Sequence, residues 1–97
     1  MIQVLVKLHV KNFSVFEEFE RAAIATMKIH QGRIVSAFET ARKLDGTGVE
    51  FHLLEFPSEE AFADYRADTS LAQLSELRSA AISETEVIVS TTLKSYD

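Results

Sequence analysis

The sequence predicts an α+β sandwich: one antiparallel sheet of four strands, with two helices covering one of its faces. Three observations predict it. Four segments alternate apolar and polar residues as strands do, and two carry apolar residues at helical spacing, in the order βαββαβ. The second and third strands are joined by a short loop holding the turn dipeptide Asp45-Gly46, which calls for antiparallel pairing. The chain has 97 residues, 46% hydrophobic and 26% charged, which suits a single domain spanning residues 1–97 with one core and no staples.

Residues 1–10 form the first strand, with Ile2, Val4, Val6, Leu8 and Val10 on one face and Gln3, Leu5, Lys7 and His9 on the other. Asn12 or Ser14 then caps a helix, Ser14 with Glu17 matching a capping box. Phe16, Phe19, Ala23 and Met27 make its apolar stripe, and Glu17, Glu18, Glu20, Arg21 and Lys28 lie mostly elsewhere. Gly32 suits the left-handed position past its end, and His30 reads as a cap near the negative helix terminus. Residues 33–41 and 49–56 are the second and third strands, the latter stopped by Pro57. Ser58 caps the second helix, with Glu59 and Glu60 favoured at its positive end. Asp68, Thr69 and Ser70 break that helix, and Ser70 with Gln73 offers a second capping box before Leu71, Leu74, Leu77 and Ala81. The β-branched run from Thr85 to about Lys94 is the fourth strand. This order is the ferredoxin-like split βαβ pattern, with the second helix broken.

Composition excludes several function classes. With 10 basic and 15 acidic residues the net charge is −5, contrary to the basic footprint a nucleic-acid binder needs. There is no cysteine, so thiol nucleophiles, disulfides and Cys-based zinc sites are absent. No apolar run reaches membrane-spanning length and no secretion signal is visible, so a cytoplasmic location without membrane partners is expected.

The best apolar set for the helix-covered face is Val4, Val6, Leu8, Ile34, Phe38, Phe51, Leu53, Val87, Val89 and Leu93. The opposite face then carries Leu5, Lys7, His9, Arg33, Val35, Glu39, Glu50, His52, Leu54, Phe56, Glu86, Ile88 and Ser90. Leu5, Val35, Leu54, Phe56 and Ile88 would form a patch that monomers rarely expose, and two such faces packed about a two-fold axis resolve it. A homodimer through the open sheet face is therefore expected.

At this point the residues suggest a family. The element order resembles the dimeric α+β barrel superfamily. Leu54-Glu55-Phe56-Pro57-Ser58, followed by Glu60-Ala61-Phe62, Tyr65, Asp68, Leu74 and Arg78, with Gly32-Arg33 upstream, resembles an uncharacterised domain family within it, related to monooxygenases of the antibiotic-biosynthesis type. The chain departs from that pattern at Thr69, where proline is frequent, and at His30-Gln31, where a second glycine is common. The resemblance implies a dimer and a fold; the superfamily's activities include cofactor-free oxygenation, lactone isomerisation and haem degradation, the last disfavoured here by the absence of tryptophan.

Two groups of residues carry candidate chemistry. His9 and His52, assigned to one sheet face with Glu50 nearby, could act as a general base, or stand as hydrogen-bonded interface groups. Two histidines and one glutamate with no set geometry are a weak zinc signal, and no metal or other cofactor is expected. Lys7 is placed to pair with Glu50 or Glu39. Tyr65 and Arg78 lie on the broken helix, a common place for a cleft; Tyr65 could donate its hydroxyl and Arg78 hold a carboxylate or enolate, or Arg78 could tie the helix to Asp68 or Glu55. Three functions follow: a cofactor-independent monooxygenase or isomerase acting on a small apolar oxygenated compound, a non-catalytic small-molecule-binding homodimer, or a structural or stress-related one.

Overall fold

The computed structural model describes residues 1–97. The elements run β1 (Ile2–Val10), α1 (Phe13–Ile29), β2 (Arg33–Thr40), β3 (Gly48–Phe56), α2 (Glu59–Ala67), α3 (Thr69–Ala72), α4 (Ser75–Ala81) and β4 (Ile82–Ser90). They build one antiparallel sheet in the order β2-β3-β1-β4, with all the helices on one side. The ferredoxin-like expectation holds, with the second helix in three pieces. The molecule measures 39 × 36 × 17 Å, the short axis being one sheet and one helical layer.

The caps explain the boundaries. Asn12 starts α1, its side chain accepting from the Val15 amide at 3.2 Å, so Ser14 falls inside the helix. Ser58 starts α2 by accepting from the Ala61 amide. Asp68, rather than Ser70, starts α3, accepting from the Ser70 amide at 2.8 Å, and α4 begins without a side-chain cap. At the end of α1 the Gly32 and Gln31 amides donate to the carbonyls of Met27 and Lys28, a Schellman closure that places Gln31, not Gly32, at positive φ (61°). Gly32 is needed for space: a Cβ there would stand 2.4 Å from Phe56 and 2.7 Å from Met27. β4 starts at Ile82, three residues earlier than its β-branched run suggests, and ends at Ser90.

The core is the layer between α1 and the even-numbered residues of β1. Ile2, Val4, Val6, Leu8 and Val10 are buried against Phe13, Phe16, Phe19, Ala23 and Met27. Register then fixes the other strands. Val4, Val6 and Leu8 stand opposite Leu54, His52 and Glu50 on β3, so those three face the helices and Phe51 and Leu53 face away. This reverses the face expected for β3. On β2 the register shifts between Ile34 and Ser36, so Ile34 faces the helices with Leu54, while Phe38 stands opposite Phe51 on the open face. Their rings stack there, with centroids 5.3 Å apart. Glu39 moves the other way, opposite Glu50. Val87 and Val89 do face the helices, opposite Val6 and Val4. Leu93 lies beyond β4 in the tail and is half exposed.

Candidate functional site

Reversing β3 carries polar groups into the helix-covered side. The alternation that buries Leu54 and Phe56 also buries His52 and turns Glu50 inward, since strand residues two apart share a face. His52 lies beneath α1, its ring 6.1 Å from that of Phe16. Its Nε2 is 2.5 Å from Glu50 Oε2, and its Nδ1 is 3.7 Å from Glu20 Oε2. Glu20 reaches it from α1 because it follows Phe16 by four residues and precedes Ala23 by three, which sets it in the buried stripe. An imidazole is thus held between two carboxyl groups whose side chains are only 16% and 18% exposed.

This trio stands at one side of a cavity of about 360 Å³ between the sheet and the helices, the size of a small-molecule site. Val6, Leu8, Phe19, Met27, Leu54 and Phe62 supply much of its apolar wall, and Glu20, His52, Tyr65, Arg66, Arg78 and Thr85 its polar groups. The broken second helix forms its roof, because Asp68 ends α2 and lets α3 and α4 diverge over the sheet. His30 and Asp68 fasten the break to α1 with a 2.7 Å contact. Hydrogen bonds from His30 and then from the Ser70 amide hold the Asp68 carboxyl below its ordinary range.

The electrostatics follow from burial. Desolvation pushes the Glu20 carboxyl up to about 7; His52 and Arg78 oppose the shift and Glu50 adds to it. Desolvation and the neighbouring Glu20 push the Tyr65 hydroxyl up to about 12, so it is a donor throughout the neutral range. Arg78 crosses from α4 to the sheet and donates from its guanidinium to Thr85 Oγ1 at 2.9 Å. Glu20 can therefore both take and give a proton near neutral pH, in an apolar cavity that also holds a phenolic donor and a guanidinium.

Of the residues expected at a site, His52, Glu50, Tyr65 and Arg78 come together on the helix side. His9 does not join them. It lies on the open face, opposite Val49 and Glu84, with Nε2 3.8 Å from Glu86 and 4.0 Å from Glu84. The expected single-face cluster of His9 with His52 is replaced by two groups on opposite sides of the sheet, because β3 is in the other parity. For the same reason Lys7 pairs with Glu86, at 3.8 Å, and not with Glu50 or Glu39. Nor does Arg78 tie to Asp68 or Glu55, which are taken by His30 and Arg33. Glu20 and Thr85 were not anticipated. The legible signal for Glu20 was a carboxylate at a stripe position between Phe16 and Ala23.

The fold has many relatives among solved structures. Protein Atu4242 from Agrobacterium tumefaciens matches with a TM-score of 0.70 at 19% identity, over 97% of this chain and 95% of that one. SnoaB, a cofactor-independent oxygenase from Streptomyces nogalater, matches with a TM-score of 0.69 at 16% identity, over 97% and 94%. An uncharacterised NIPSNAP domain protein from Burkholderia xenovorans matches with a TM-score of 0.70 at 7% identity, over 96% and 95%. At these identities the likeness is one of fold. No curated protein matches the sequence. Residues 3–92 match the domain of unknown function DUF1330, nearly the whole chain, and the protein belongs to that family.

Proposed function

We propose that the cavity performs acid–base chemistry on a small apolar oxygenated compound, as a cofactor-independent monooxygenase or isomerase. The observation that carries this reading is Glu20, a carboxyl whose proton affinity burial has moved to about 7, set beside His52 in an apolar cavity. Glu20 removes a proton from a carbon next to a carbonyl or phenol. His52, held by Glu50, keeps the Glu20 carboxyl aligned. Tyr65 donates to the oxygen on which negative charge develops. In an isomerase the proton returns to a different carbon. In an oxygenase the carbanion meets O2, and a CH2 group plus O2 become a ketone carbonyl plus water. SnoaB shows that a chain of this fold can act as a cofactor-independent oxygenase. His9, on the other face, has no part in this chemistry.

Proton abstraction is common to both reactions and can be measured without the natural substrate. The bicyclic ketone 2-tetralone is incubated in D2O at neutral pH, and loss of its α-proton signals is followed by NMR. The expected result is exchange faster than in buffer, falling by about 10²-fold in Glu20→Gln. Equal rates for the wild type, Glu20→Gln and buffer would contradict the reading.

A homodimer through the open sheet face belongs to the same proposal. Leu5, Phe38 and Ile88 are 39%, 53% and 60% exposed there, beside Phe51 and Leu53, and Lys7, His9, Glu84 and Glu86 lie along the β1–β4 side. A continuous apolar face of this kind favours a second copy. Light scattering is expected to give a dimer for the wild type and a monomer for Leu53→Asp; a monomeric wild type would refute it. That interface is equally required by the second reading, a homodimer that binds a small molecule without turning it over or serves a structural role. Ligand retention without proton exchange would favour that reading.

A further inference from the structure

The polar groups of the cavity differ in whether the chain satisfies them. Arg33 and Arg42 are paired with Glu55 and Glu39 at 2.8 and 2.6 Å. Arg78, at the cavity wall, has only the neutral Thr85 hydroxyl, which takes one of its five N–H groups and holds the guanidinium against the sheet. The Tyr65 hydroxyl lines the same cavity and is hydrogen-bonded to nothing in the chain. Arg78 acts electrostatically on both Tyr65 and Glu20, so the three share one part of the site. In a chain of net charge −5, Arg78 stands beside an apolar cavity with no carboxylate partner and with N–H groups left to donate to an anion.

Resting on the reading of this cavity as a small-molecule site, we propose that its ligand is a monocarboxylate on a one- or two-ring apolar body, its carboxylate held by Arg78. The apolar walls accept the ring, the remaining N–H groups of the Arg78 fork donate to two carboxylate oxygens, and Tyr65 stays free to donate to the reacting oxygen. Glu20 does not repel this ligand, because below about pH 7 its carboxyl is mostly neutral. Arg66 also lines the cavity without a carboxylate partner, its guanidinium 5.4 Å from the centre of the Phe62 ring.

The test is a binding titration of the full chain at pH 6.5 with two probes, 2-naphthoate and the neutral 2-naphthalenemethanol, read by NMR shift changes at cavity residues. The expected result is that 2-naphthoate binds at least about tenfold more tightly than the alcohol, the worth of a charge-assisted hydrogen bond. Arg78→Gln removes the preference, and Arg21→Gln, at an exposed position of α1 outside the cavity, leaves it; unchanged circular dichroism of each variant certifies its fold. Equal binding of the two probes by the wild type overturns the inference, as does a preference that survives Arg78→Gln. Binding needs no turnover, so this outcome is separable from that of the 2-tetralone experiment. Selective naphthoate binding without proton exchange would retain the ligand class and remove the catalysis, and exchange without anion preference would do the reverse.

Discussion

Replacing Glu20 with glutamine should make the protein more stable, and only above a certain pH. In the folded chain the Glu20 carboxyl keeps its proton to about 7, against an ordinary value of 4.5. Between those values the folded chain binds more protons than the unfolded one, so stability declines as pH rises through the interval and levels off above it. The accumulated loss is about 3 kcal/mol by linkage. Glutamine cannot ionise and is spared that loss, and the attraction of His52 for the carboxylate is already contained in the value of about 7. The expectation is a gain of about 3 kcal/mol at pH 8, shrinking to nothing at pH 4.5. Urea unfolding of both chains by circular dichroism at pH 4.5, 6 and 8 measures it. Carboxyls held below their ordinary range, such as Asp68, contribute the opposite slope at lower pH, but equally in both chains, and so cancel. A stability difference that does not change with pH would refute the reasoning, because it would mean that Glu20 titrates alike in the folded and unfolded states. A gain would also fit a functional group retained at a cost in stability.

Three further predictions concern the frame of the cavity. Gly32→Ala should destabilise by about 1–3 kcal/mol in the same assay, because the new methyl meets the Phe56 ring and Met27, which also packs beside the cavity. Gln31→Gly should instead stabilise by up to about 1 kcal/mol, since Gln31 occupies a left-handed conformation that glycine adopts freely. Asp68→Asn should lower the melting temperature at neutral pH, and the difference should vanish as pH falls through the carboxylate range. The depressed carboxyl stabilises the fold only while ionised, through its contact with His30.

The order of elements and the antiparallel pairing of β2 with β3 were legible because local signals fix them: alternation in β1, the turn at Asp45-Gly46, the cap at Ser58 and the stop at Pro57. Which way β3 faces was not. Phe51 and Leu53 look more like core than Glu50 and His52 do, and hydrophobicity alone puts them inside. The register with β1 decides otherwise, setting Leu54, His52 and Glu50 opposite the buried Val4, Val6 and Leu8. A shift of a single residue in β2 likewise moved Phe38 to the open face, and no composition signal marks a bulge there. Of the candidate site, Tyr65 and Arg78 were legible from the helix break. His52 and Glu50 were found for a different reason, as neighbours of His9, and the structure keeps those two while parting them from His9. Glu20 was hidden among the acidic residues of α1, although its place between Phe16 and Ala23 distinguishes it from Glu17 and Glu18.

The central claim is that the cavity holds a carboxyl able to exchange a proton near neutral pH. The most direct measurement is an NMR titration of the Glu20 side-chain carboxyl carbon, assigned by its disappearance in Glu20→Gln. The account predicts a midpoint of about 7. A midpoint at the ordinary value of 4.5 would contradict it, leaving Glu20 a permanently charged carboxylate at neutral pH.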